Sequence, residues 1–485
     1  MTGNRQTVVK DFCFQWIDAN RDATATLNDA LYYFGEPSLE EYESAGLLTS
    51  VLAEAGFQVQ TGISGFPTAF LATFGQGEPV IALHAEYDGN PNNSQVPGVT
   101  EPRPIVEGAP GHAEGHQGNA TVMVTAALAV QKAMQHFGLP GTLKVFGAPG
   151  EEIAISRPYF VRDGHFEEVD IAFHNHIRGS FYTEVGQTQI SSISAEFTFD
   201  GESAHAGLNP WDGRDALDAV VLMDQGMAQH REHMHPSMRA HRVITQGGEQ
   251  PNVIPARAAV WWYFRGFSAA DANRLFEQAR RIAEGAALMT RTSVSVDVKS
   301  AVWPTRCNRV LADLLDANIR QVGMPSWSDE EQAFARRLQE AAGVEVSGLD
   351  SVPASMVGPD APEMSSNDCG DISWKVPMGR VWWPGSVPNV RFHHWSGAAM
   401  LTTSITHKGI SAGAKVLSGA VAECLCDTSI VARAQESFRE EIGGVDYAPL
   451  IPLNKAPRLD IHTALMERFR PQMRSHYLQE RPRFR

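Results

Sequence analysis

The chain has 485 residues, of which 43% are hydrophobic and 20% charged, a balance that allows two to four domains or one large core with an insertion and excludes global disorder. Forty basic against 56 acidic residues give a formal net charge of −16, which argues against a nucleic-acid or anionic-membrane binder, because such proteins need a basic footprint. The five cysteines are scattered without a CxxC pair, so a reduced, cytoplasmic chain without a cysteine zinc site is expected.

The N-terminal stretch MTGNRQTVVKDFCFQWIDANRD carries Lys10, Asp11, Asp18 and Asp22 and no apolar core with a cleavage site, so it reads as the first helix of the fold. No uncharged apolar run of about 18 residues suggests a membrane span. Tyr42, Ala45, Leu48, Leu52 and Ala55 recur at helical spacing before Gly56, and VIALHAEY (80–87) is a short apolar run typical of a buried strand. A helix is predicted from Asn119 to His136, closed by Gly138, with strands TLKVFG (142–147) and VDIAFHNHI (169–177) after it. Strands separated by helices predict an α/β layered domain with a mostly parallel sheet.

From about residue 188 the rhythm changes. SAEFTFDG, a helix at 215–233, RVITQGG, AAVWWYFRG, a helix at 268–289 and SVSVDVKSAV follow the split βαβ order of a ferredoxin-like module. After about residue 300 helical patterns return, followed by a Trp-rich stretch (Trp374, Trp382, Trp383, Trp395) and a long helix over 407–427. The predicted division is therefore 1–187 and 301–485 as two parts of one domain, with 188–300 inserted. The basic tail, KAPRLDIHTALMERFRPQMRSHYLQERPRFR, is expected to wrap the surface or a partner subunit.

Acidic and imidazole side chains gather in HAEYDGNP (84–91), GHAEGHQGN (111–119), APGEEI (148–153) and AFHNHI (172–177). An open α/β sheet places its ligand crevice at the strand ends where these segments lie. In an extended segment Glu151 and Glu152 point to different sides, so one can bind a metal while the other faces a water, although an EE pair alone equally marks an ordinary helix start. Glu114 and His116, two apart among glycines, offer a carboxylate and an imidazole suited to a divalent ion, or else a surface turn. His174 or His176, and His393, His394 or His407 from the far end of the chain, can complete such a site, and spacing alone does not choose among them. The four tryptophans suit either an aromatic substrate group or core packing.

Taken together, these clusters resemble the aminoacylase/glutamate-carboxypeptidase metallopeptidase family, in its branch of p-aminobenzoyl-glutamate hydrolase and related amidohydrolases. EYDGNP resembles that branch's E-[FY]-D-A-L-P, GHAEGHQ its GHxCGHN and GEE its xEE; SSNDCGDISWKVP, HHW and HKGISAGAKVL resemble its C-terminal motifs, and GESAHAGLNPWDGRDALDAV the signature of its smaller domain. The resemblance implies a mixed-sheet dimetal peptidase-like catalytic domain with an inserted ferredoxin-like dimerisation, or lid, domain. It implies one or two divalent ions (Mn²⁺ or Zn²⁺, or Co²⁺) held by Glu114, His116, Glu152, His176 and His393. Glu151 would be the general base and Asp88 would orient a ligand histidine. His205, Asn252 and Arg265 match positions that contact substrate, His205 being supplied across a homodimer; a heteromer is the other assembly the branch contains.

Two departures stand out. The branch usually has Cys where this chain has Glu114, a swap that hardens the site towards Mn²⁺-like ions, and Gly89 and Asn90 replace the usual Ala-Leu. The implied activity is hydrolysis of a small-molecule amide between an acyl or aromatic acyl group and an amino acid or amine. Deamination of an aromatic amine and a metal-free or partner-dependent binding subunit are the alternatives.

Overall fold

A computed structural model describes residues 2–358 and 362–485. Its larger sheet has seven strands in the order Gln58–Thr61, Phe70–Gln76, Gly141–Gly147, Val80–Ala85, Ile171–Arg178, Met378–Pro384 and Tyr182–Thr183. The four middle strands run parallel, whereas the outer pairings are antiparallel. The expectation of a mostly parallel sheet therefore holds only for the centre. Only residues 62–69 join the first two strands, and a parallel crossover needs a dozen residues or more.

The central strands are buried on both faces, which is why they read as continuous apolar runs rather than alternating ones. Helix His116–Phe137 lies against them and is packed in turn by Thr2–Ala19 and Ser404–Cys426. Ser404–Cys426 is long and apolar enough to cross a membrane, but most of it is buried inside this helical layer. The first helix, the predicted strands and the long C-terminal helix all form within a few residues of their expected ends. His116–Phe137 starts three residues before its predicted Asn119, because Gly115 turns the chain at φ 80° immediately before it.

The smaller sheet has the order Ser293–Val302, Ser191–Asp200, Arg257–Gly266 and Arg239–Gln246, all antiparallel. Phe197, Phe199, Trp262 and Phe264 form its buried face beneath helices Ala216–His230 and Ala269–Thr290. The opposite face carries Tyr263 and Arg265 towards the ends of the larger sheet. The strand Arg239–Gln246 is an exposed edge. At the C-terminus the basic tail wraps its own chain: Arg470 pairs with Glu36 and Glu40, and Phe484 stacks on Trp16 at 5.9 Å.

Candidate metal centre

Three central strands deliver the site from one edge. Val80–Ala85 runs into Glu86 and Asp88, Gly141–Gly147 into a 3₁₀ turn at Glu151–Ile153, and Ile171–Arg178 carries His174, His176 and Arg178 on one face. Glu114 and His116 enter at the start of helix His116–Phe137, and His393 comes from the loop before Trp395–Ala398. His393 adopts φ 54°, which few side chains tolerate, and this turns its Nε2 to 2.5 Å from Glu114 Oε2 and 3.1 Å from Glu152 Oε2. The pair Glu151–Glu152 is therefore not extended as expected. Gly150 at φ 73° and Ala154 at φ 52° close a tight turn around it.

Glu151 Oε2 lies 3.6 Å from His116 Nε2, Glu152 Oε1 3.9 Å from His116 Nδ1, and His176 Nε2 3.8 Å from Glu114 Oε1. His116 Nε2 and Glu152 Oε1 are buried and have no hydrogen-bond partner among the described residues. Buried polar atoms left in this way are costly unless a ligand takes them up. Glu114, His116 and Glu152 bring ligand atoms within 4.8 Å of one another, as do Glu86, His116 and His176. This nitrogen and oxygen donor set fits divalent cations.

The electrostatics are those of acids and imidazoles crowded together. Burial, with Glu152 and Glu86 adding to it, pushes the Glu151 carboxyl well above the usual range. Burial also raises Glu152, reinforced by Glu114. Glu114 resists its own burial: the bond from His393 and the nearby His176 and His116 hold it down at about 2. Bonds to Glu114 and Glu152 raise His393 to about 10, while burial depresses His176 to about 3.

Beneath the cluster, buried carboxylates set its geometry. Asp88 accepts from His116 Nδ1 at 3.1 Å, from Ser38 Oγ at 2.7 Å and from the Glu152 backbone N–H at 3.0 Å. Glu41 accepts from the N–H of Gly150 at 2.9 Å and from Thr68 Oγ1 at 2.9 Å, fixing the approach to the Glu151 turn. Glu86 accepts from Asn119 at 2.6 Å, from His174 and from Arg157, whose guanidinium also grips Asp368. Asn119 in turn accepts from the Ile177 N–H at 3.0 Å, next to His176.

Sequence reasoning missed Glu86, Arg157 and Asp368 as parts of the site. Glu86 and Asp368 stand inside the motifs EYDGNP and SSNDCGDIS; Arg157 gave no signal. The histidines left open sort themselves by contact. His174 is spent on Glu86, His394 caps Trp395–Ala398 through Ser396, and His407 faces Asp29 at 2.7 Å. Of the four tryptophans, Trp382 lines the cleft, whereas Trp383 is buried on Asn119 and Asn175 and Trp374 packs on Trp303.

The cleft over the cluster has a volume of about 520 Å³ and runs between the two sheets, with Arg265 on its far wall. His205 and Asn252 are not in it. They lie exposed and side by side in the smaller layer, with Ala206 N–H donating to the Asn252 carbonyl at 3.1 Å.

Comparison with known proteins gives a match to the model of Peptidase family M20/M25/M40 over residues 82–396. The chain is 34% identical over 470 residues to one of the two subunits of p-aminobenzoyl-glutamate hydrolase from Escherichia coli (strain K12), covering 91% of this chain and 97% of that protein. Among solved structures it resembles an aminobenzoyl-glutamate utilization protein from Klebsiella pneumoniae, with TM-score 0.59, 17% identity and 83% and 97% coverage. It also resembles the Bacillus subtilis YXEP protein, a dinuclear metal binding peptidase from the M20 family, with TM-score 0.54, 18% identity and 87% and 99% coverage.

Proposed function

The chain belongs to peptidase family M20/M25/M40, and from that premise we propose that it hydrolyses an amide between an acyl or aromatic acyl group and an amino acid or amine, using divalent ions. The observation that carries this reading is the convergence of Glu114, His116, Glu152, His176 and His393 around one point, with Glu151 beside them. When bound, the ions supply Lewis-acid polarisation of the carbonyl and acidify water. The protein's own groups do the rest. Asp88 holds His116 by Nδ1, which leaves Nε2 facing the cluster. Glu151, its carboxyl made more basic by burial, takes a proton from the attacking water and returns it to the leaving amine.

The all-oxygen-and-nitrogen donor set favours Mn²⁺ over Zn²⁺ or Co²⁺. Chelator-stripped protein is expected to lose amide hydrolysis and to recover it best with Mn²⁺, at about two ions per chain by elemental analysis, in a screen of N-acyl amino acids and aryl amides. Restoring a thiolate with Glu114→Cys is expected to move the preference towards Zn²⁺. Ammonia release without acyl cleavage, or no ion after supplementation, overturns the reading.

Residues 1–187 and 301–485 act in this reading as one catalytic domain, and 188–300 as the inserted dimerisation module. Its edge strand exposes Val243 and Ile244, and Leu208 and Trp211 are about three-quarters exposed, at 72% and 73%. An exposed strand edge of this kind is a template for pairing. A homodimer through it brings His205 of the partner subunit to the cleft to meet substrate. Sedimentation is expected to give a dimer, and Val243→Asp with Ile244→Asp to give monomers that keep their metal but lose at least about 100-fold in kcat, the scale of a lost oxyanion donor. A stable complex with a different chain is the outcome that replaces the homodimer with a heteromer. The five free thiols suit a reducing cytoplasm.

A further inference from the structure

Beyond the metal ligands, the cleft holds a cation that the reaction does not use. Arg178 follows His176 by two residues on the same strand, so both side chains leave one face, and the guanidinium stands one pleat, roughly 7 Å, farther along the cleft than the imidazole. Its carbon lies 4.5 Å from the ring centre of Trp382 and 5.4 Å from that of Phe392, the residue before His393. Trp382 is itself fixed by stacking on Tyr182 at 5.9 Å. Two aromatic rings thus aim a planar, permanently charged group into the space beside the cluster.

That group is only partly used. Both oxygens of Glu363 approach the same nitrogen, Nη2, each at 3.2 Å. Nε is buried with no partner, and Nη1 makes no hydrogen bond among the described residues. A guanidinium offers five N–H donors in a fork that matches a carboxylate, so most of the recognition capacity of Arg178 is left over. Glu363 is 55% exposed, and ion pairs open to water on one side are weak and easily exchanged. Across the cleft Arg265 donates to Ser366 at 3.0 Å and has no acidic partner among the described residues.

We propose that Arg178 is a specificity residue that receives a carboxylate of the substrate, with Glu363 holding its place until that carboxylate arrives. The inference rests on the amidohydrolase reading and narrows it: the preferred amides carry two anionic groups, one for Arg265 and one for Arg178.

Two matched pairs of probes test it on the metal-loaded full chain: N-benzoylglutamate against N-benzoylglutamine, and N-(4-carboxybenzoyl)glycine against N-benzoylglycine. The wild type is expected to favour the additional carboxylate in one pair by at least about tenfold in kcat/KM. Arg178→Gln removes that preference through KM with kcat little changed, Arg178→Lys restores part of it, and Glu363→Gln lowers KM for the anionic probe. Calorimetric binding of the same pairs to Glu151→Gln separates this inference from its premise. If no probe is hydrolysed but the Arg178-dependent difference in binding persists, the amidohydrolase reading falls and Arg178 stands. No preference in either pair, or a preference unchanged in Arg178→Gln, overturns the proposal.

Discussion

Glu151→Gln is expected to lower kcat by about 10³-fold while the protein keeps its metal, because general acid–base transfer contributes on the order of 10²–10⁴ and the amide side chain cannot take a proton. The argument is geometric before it is electrostatic. Glu151 lines the cleft with its carboxylate 3.6 Å from His116 Nε2, and the Gly150 N–H held by Glu41 leaves its turn little freedom. Gln is close to Glu in shape, so the turn and the neighbouring Glu152 are undisturbed and metal content by elemental analysis stays near wild type. Glu151→Asp draws the carboxylate back by about one methylene and should cost about 10²-fold, as misplacement by 1 Å or so does elsewhere. Glu152→Gln behaves differently: it loses the ion along with turnover, because that carboxylate reaches both His393 and His116. A Glu151→Gln protein with normal turnover removes the assigned base.

Why these groups were readable at all follows from where they sit. VIALHAEY, TLKVFG and VDIAFHNHI are apolar enough to be central strands, and parallel neighbours end on the same side of a sheet, so polar residues just past each run had to converge. Even the choice between His174 and His176 was implicit in the period-two alternation: both share a face, and the one nearer the C-terminal end lies nearer the crevice. Other features depend on what periodicity does not encode. His393 reaches the cluster only because its backbone takes φ 54°, which no spacing rule distinguishes from His394. The turn at Glu151–Ile153 needed left-handed conformations at Gly150 and also at Ala154, and alanine gives no hint of one. His205 and Asn252 belong to a surface that is informative only once a second chain is considered.

The pairing of Arg157 with Glu86 and Asp368 is the least legible element, because nothing local links residues 71 and 211 positions apart. Its removal should nevertheless be among the most damaging single changes. All three side chains are completely buried, so Arg157→Met leaves two carboxylates in the interior without a countercharge. Breaking a buried pair from one side costs about 3–5 kcal/mol, enough to lower the melting temperature by about 10 °C. The damage should spread to activity, because Glu86 also holds Asn119 and His174, and Asn119 fixes the backbone beside His176. If charge imbalance is the cause, neutralising the partners as well, in Arg157→Met with Glu86→Gln and Asp368→Asn, should recover most of the lost stability, since replacing a whole buried ionic group is often close to neutral. Activity need not return with it, because Gln at position 86 no longer offers His174 and Asn119 a charged acceptor. Thermal melts of the single and triple variants decide the point: a triple variant as unstable as Arg157→Met alone would mean that Arg157 stabilises through packing rather than through charge.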